Sequence, residues 1–276
     1  MGTSKSSNGA PGNVPMVPAW TPAPVPPAGP DEPSPPQPEP GQAPPPNIPI
    51  APAGRFGPAR LSLGRFASSG SHLDMQRGLG HYANKGMGGG RVAAQRMGAT
   101  ARTGGALYGA LSSLAQGTPN ALADGGDRAS LAGRSVAEIM AAIIESVRPV
   151  DGTQDAETSR DALEGALSSE LLDQFPNADL LALTEAERLF VVERYTALDI
   201  FNNLALNIGK ALQEKAPSIS AGLIRLRELK NYVKQTVAAQ FRNVRKAGQT
   251  LSPRTVAGIV RQTIQQTFDV FGGGEE

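Results

Sequence analysis

Apolar side chains follow two regimes along this chain. From about residue 135 onward they recur at three- and four-residue spacing, the signature of amphipathic helices. Ser135 with Glu138 has the spacing of a capping box, which satisfies free backbone donors at a helix start. Val136, Ile139, Met140, Ile143, Ile144 and Val147 then line one helix face, and Arg148-Pro149 ends it, because proline disfavours helix in the residue before it. After the loop Val150-Asp151-Gly152-Thr153-Gln154, a second helix is predicted over roughly 155–174, with Leu163, Leu167, Leu171 and Leu172 on one side and Phe175-Pro176 closing it. Thr184 with Glu187 opens a long helix to about Lys215. Another follows Pro217-Ser218 to about Ala247, with Gly248 as its C-terminal stop. Ser252-Pro253 supplies a cap and a first-turn proline for the last helix, which carries Val256, Ile259, Val260, Ile264 and Phe268. No alternating strand pattern bounded by turns occurs. The fold class is all-α, with a helical, bundle-like C-terminal domain over 134–272.

Residues 92–117 form a separate case. Ala94, Gly98, Ala101, Gly105 and Gly109 are small enough to let another helix approach closely, while Leu107, Leu111 and Leu114 supply apolar contacts. Each glycine costs about 1 kcal/mol in a helix interior. This helix is therefore expected to form only against the rest of the protein or a partner.

Residues 1–91 read as a long disordered Pro/Gly-rich N-terminal arm. Nineteen of the 24 prolines lie between Pro11 and Pro58, and proline rules out helix interiors and central strands. A polyproline II spacer of roughly forty residues reaches about 120 Å if fully extended. Pro33-Ser34-Pro35-Pro36 also contains a P-x-x-P match, a pattern nearly unavoidable in such a stretch. Residues 54–91 are expected to be an Arg/Gly-rich linker. Within it Gly54-Arg55-Phe56 and Gly64-Arg65-Phe66 repeat ten residues apart, which makes Arg55, Phe56, Arg65 and Phe66 candidates for partner docking, since an aromatic buries a large area with few rotors.

Charge sharpens this division. The net of +1 conceals −2 over residues 1–54, +7 over 55–102, −10 over 103–200 and +6 over 201–276. Such blocks suit a basic segment meeting an acidic surface, its own or a partner's. The chain has no cysteine, so disulfides, thiolate metal sites and cysteine nucleophiles are excluded together. The opening MGTSKSSNG has no apolar stretch of the kind a secretory signal needs, and no run approaches the roughly 20 apolar residues that span a bilayer. A cytoplasmic location without membrane is expected.

Chemistry is sparse. His72 and His81 both sit in the Gly-rich segment, with no predicted scaffold to orient a catalytic base. Gly78-Leu79-Gly80-His81-Tyr82-Ala83 matches G-x-G-x-x-A, but polar Asp74-Met75-Gln76-Arg77 stands where a strand must precede it. Asp151, Asp155 and Glu157 cluster at a turn without the spacing of a calcium loop; acids at a helix start favour its dipole instead. No catalytic residue, metal site or bound cofactor is expected, and the chain reads as a non-enzyme. The most specific feature is the terminus. In Met1-Gly2-Thr3-Ser4-Lys5-Ser6, Gly2 is the small residue expected after Met removal. The pattern matches a myristoylation signal, and an unhindered Gly amine is also a competent nucleophile near neutral pH.

The opening Gly2-Thr3-Ser4 through Ser6-Ser7-Asn8-Gly9, the proline arm, Phe66-Ala67-Ser68-Ser69-Gly70-Ser71 and Arg148-Pro149-Val150-Asp151-Gly152-Thr153-Gln154-Asp155 together resemble the QatB family of bacterial Qat anti-phage defence systems. That resemblance implies an operon with an ATPase, an enzyme similar to the cyano-deazaguanine synthases, and a TatD-like nuclease. Synthases of that type activate a deazaguanine carboxylate with ATP and pass it to a nitrogen nucleophile. It implies that Gly2 is the modification site, carrying a covalent deazaguanine, with Thr3 and Ser4 in the partner's active-site mouth. Arg148, Pro149, Asp151 and Asp155 become candidates for partner docking. The alternative is a scaffold that binds nucleic acid through the Arg/Gly-rich segment and recruits the nuclease, recognisable by strong salt dependence. Myristoylated anchoring fits poorly, because one acyl chain binds membranes only marginally and Lys5 is the only basic supplement nearby.

Overall fold

The computed structural model describes residues 54–245 and 248–273, and every regular element among them is helical. In chain order these are α1 (Gly57–Ser69), α2 (His72–His81) with a π-helical continuation over Tyr82–Met87, α3 (Gly90–Arg96), α4 (Gly98–Ala115) and α5 (Arg128–Leu131). Then come α6 (Val136–Val147), α7 (Gln154–Gly165), a π-helical turn Ala166–Glu170 leading into α8 (Leu171–Gln174), α9 (Glu185–Lys215), α10 (Ile219–Val244) and α11 (Pro253–Gly272). The expectation of a disordered arm over residues 1–53, including Gly2, Thr3 and Ser4, falls outside the described residues.

The 31 residues of α9 make a rod about 45 Å long. Its start is fixed as the sequence predicts: Thr184 Oγ1 accepts from Glu187 N at 3.3 Å, and Thr184 N donates to Glu187 Oε2 at 2.6 Å. From Tyr195 to Ile200 every residue is buried; α4 and α7 reach this stretch through Thr100 and Ser159, and α1 and α10 also pack along α9. A helix covered on all sides forms the centre of a core rather than a surface layer. Ser135 caps α6 and Ser252-Pro253 starts α11, also as predicted. α10 ends at Val244, a turn before Gly248, whose φ of +74° marks a later bend instead of the helix stop.

The small-residue stretch over 92–117 divides at Met97 into α3 and α4, and the helix it admits is α11 of the same chain. A Cβ at Gly105 would lie 2.5 Å from the carbonyl oxygen of Pro253 and 2.9 Å from the Ala257 Cβ. Only glycine permits that approach. In return Val256, Ile259, Val260, Thr263 and Ile264 of α11 are all buried.

The linker reading of residues 54–91 is overturned. Residues 57–69 and 72–87 are helical and belong to the same core as α9 and α11. Leu63, Phe66, Met75, Leu79 and Tyr82 are each no more than 1% exposed. Ser71 caps α2 by accepting from Asp74 N at 3.3 Å, and Gly70, at φ +75°, ends α1. The docking reading of Phe56 and Phe66 falls with it. Phe66 is fully buried, and Phe56 stacks on Tyr82 with ring centroids 5.4 Å apart. Gly78 and Gly80 of the G-x-G-x-x-A match are buried inside α2, where Gly78 packs against Leu63.

Candidate functional site

The loop joining α6 to α7 brings together three of the four residues singled out there for docking, Arg148, Asp151 and Asp155. Arg148 Nη1 lies 3.2 Å from Asp151 Oδ2. Asp151 Oδ1 accepts from the Thr153 hydroxyl at 2.5 Å and its backbone N at 2.9 Å. The Thr153 bonds, helped by the Arg148 charge, hold the Asp151 carboxyl below the usual carboxylate range. Thr153 in turn caps α7, accepting from Ala156 N at 3.2 Å. Arg160 ties the loop from below, donating to the Arg148 carbonyl at 2.6 Å and pairing with Glu145 at 2.8 Å. The idiosyncratic 148–155 sequence therefore builds a cross-tied turn, with Pro149 and Val150 exposed at its tip.

Beneath this turn lies a polar cluster that the sequence reasoning missed. Asp199 of α9 is 2% exposed and accepts from Thr100 Oγ1 of α4 at 2.5 Å. Its second oxygen, Oδ1, is buried without a hydrogen-bond partner. One turn earlier on α9, the Tyr195 hydroxyl shares a 2.8 Å bond with Ser159 Oγ of α7. A cavity of about 40 Å³ sits between Thr100, Arg148, Asp155, Ser159, Asp199 and Asn203, enough for about one water. Burial pushes the Asp199 carboxyl up to about 6; Asp155 adds to the rise, while the Thr100 bond and Arg148 oppose it. Burial and the Asp199 charge raise the Tyr195 phenol well above its ordinary range. The cluster is a titratable clamp joining α4, α7 and α9 under the loop. Its sequence signal was an Asp four residues after Tyr195 and seven after Val192, on the apolar stripe of a long helix.

The other singled-out residues stand elsewhere. Arg55 lies 4.6 Å over the Phe56 ring, and Arg225 lies 5.7 Å from that of Phe66. Arg65 is exposed on α1. Of the remaining arginines of the basic block, Arg60 donates to Asn207 O at 2.8 Å and Arg96 to Gly86 O at 3.4 Å, while Arg77, Arg91 and Arg102 are exposed. His72 is exposed at the start of α2, and His81 is half-buried at its end. Among the described residues, no group of three or more His, Asp or Glu is placed to hold a metal ion, and no helix is long and apolar enough to cross a membrane.

No curated protein and no solved structure matches the chain. A family model described as Qat anti-phage system associated protein QatB matches residues 88–271. That span runs from just before α3 to the last turn of α11 and takes in the tied loop and Asp199, about two thirds of the chain. The chain belongs to the QatB family of Qat anti-phage system proteins.

Proposed function

We propose that this protein is a non-catalytic component of its defence system, and that its Gly2 amine is acylated by the system's cyano-deazaguanine-synthase-like enzyme. One observation carries the reading: the small, unhindered Gly2-Thr3-Ser4 precedes a Pro-rich stretch that stops where the helical body begins, at α1. A spacer of that composition would give a terminus the reach to enter another protein's active site. In the reaction the neutral Gly2 amine attacks the activated deazaguanine carbonyl, the activating group departs, and the nitrogen gives up its proton to form an amide. Thr3 and Ser4 suit a narrow pocket mouth by size and hydrogen bonding. No bound cofactor enters; the deazaguanine becomes a covalent part of the chain.

The helical body docks the synthase-like partner, and the ATPase and TatD-like nuclease of the system are further partners. Within the 148–155 turn, Arg148 and Asp151 spend their charges on each other, so Pro149, Val150 and Asp155 present the contact surface. The cytoplasm, where ATP is at hand, suits this chemistry. A second reading, nucleic-acid scaffolding, draws on Arg65, Arg77, Arg91 and Arg102, which are exposed on fixed helices instead of a flexible arm. Gly2→Trp decides between the two. The bulky residue retains Met1 and blocks the amine, so modification and defence are both lost. Unchanged modification would overturn the proposal, and intact defence without modification would move the function to the arginines.

A further inference from the structure

Two unpartnered faces of the helical body have matching chemistry. The first is a groove of about 340 Å³ between α6 and α7. Its floor is Ala137, Met140, Ala141 and Ile144, and Val136, next to Ala137 in sequence, is 56% exposed. Its α7 wall carries Glu157, Asp161 and Glu164, three exposed carboxylates at i, i+4 and i+7 on one helix face. Arg160, the cation on that wall, is already committed to Glu145 and the Arg148 carbonyl.

The second face is the start of α10. Ile219, Leu223 and Ile224 are 87%, 59% and 52% exposed, so the first two turns of α10 show three large aliphatic side chains to solvent. Arg227 follows, exposed, at i+8 from Ile219 on the same side. Aliphatic groups clustered this way mark an interaction surface. The lengths agree: Ile219 to Arg227 covers about 12 Å of helix and Glu157 to Glu164 about 10 Å. The positive end of the α10 dipole adds to the attraction for the acidic wall.

We propose that the groove of one copy receives the first two turns of α10 from a second copy of this chain. Ile219, Leu223 and Ile224 cover the Ala137–Met140–Ala141 floor, and Arg227 meets Asp161 and its neighbours. Residues 1–54, with Lys5 against Asp31, Glu32 and Glu39, offer an acidic wall less charge complementarity than the exposed Arg227 does. The contact joins two different patches, so it closes into a dimer if both pairs engage reciprocally and otherwise extends head to tail.

Sedimentation of the full chain from micromolar to millimolar concentration tests this. The weight-average mass is expected to rise above the 28.6 kDa of one chain. A face variant, Ile219→Asp with Leu223→Asp, and a groove variant, Glu157→Lys with Asp161→Lys and Glu164→Lys, each stay monomeric alone. All five substitutions fall on exposed positions, so the face variant keeps the parent's melting profile, while the groove variant, which gives up the Glu157 charge in the first turn of α7, melts slightly lower but stays folded. Mixed in equal amounts, they form a one-to-one pair and go no further, because the face variant retains an intact groove and the groove variant an intact face. A parent chain that stays monomeric throughout overturns the proposal. So does a mixture of the two variants that stays monomeric, which would assign the α10 face to a different protein or to its own kind.

Discussion

α4 makes two contacts of opposite character. Toward α11 it offers glycines, and the fit is one of volume: Gly104 lies against Val260, and Gly105 against the Pro253 carbonyl. Toward α9 it offers Thr100 and Thr103, and the fit is one of polarity, with Thr100 serving a buried carboxylate. The first contact has nothing to titrate and no room to spare. The second has room for about one water and a group whose charge changes near neutral pH. The same helix is thus held on one side by steric complementarity and on the other by a protonation equilibrium.

Substitutions can separate these modes. The largest effect is expected from Gly105→Val, whose side chain must displace backbone rather than a flexible side chain. It should cost about 3 kcal/mol at any pH, read as a melting temperature lower by roughly 10 °C. A loss under about 1 kcal/mol would show that the α4–α11 contact is loose. Next comes Asp199→Asn. The folded carboxyl sits at about 6 against an ordinary 3.8, so the folded state binds its proton more tightly than the unfolded chain. The stability this group contributes is therefore full below the unfolded value and is lost as pH rises through the folded one. The amide imitates the protonated form, so the variant should match the parent near pH 4 and exceed it at pH 7.5 by about 2 kcal/mol, below the roughly 3 kcal/mol that two pH units represent. A destabilised variant at pH 7.5 would mean that the ionised form is the one the clamp favours. The smallest effect is Thr184→Ala, which removes the α9 cap and should cost about 1 kcal/mol without pH dependence across neutrality.

The legible parts of the fold were those whose signals are local. The Ser135–Glu138 and Thr184–Glu187 boxes and the Ser252-Pro253 start need nothing beyond three or four neighbouring residues, and each stands where the spacing placed it. Residues 57–87 misled because glycine there serves contact instead of flexibility: Gly78 lies under Leu63, and Gly86 under the Phe56 ring. Composition cannot distinguish a glycine that loosens a chain from one that lets two helices touch. A local signal was present even so, since Ser71 and Asp74 have cap spacing. The 148–155 loop was legible as distinctive but not as structure, because it is tied through Arg160 of α7, which in turn pairs with Glu145 of α6. Asp199 needed three dimensions: its partner Thr100 lies 99 residues away.

Modification of Gly2 is tested most directly by the intact mass of the protein made with and without its system partners, followed by sequencing of the N-terminal peptide. The expected result is a terminus beginning at Gly2 that carries a deazaguanine joined through an amide, present only when the synthase-like partner is active. An unmodified Gly2 in cells whose defence is working would contradict the account and turn attention to Arg65, Arg77, Arg91 and Arg102.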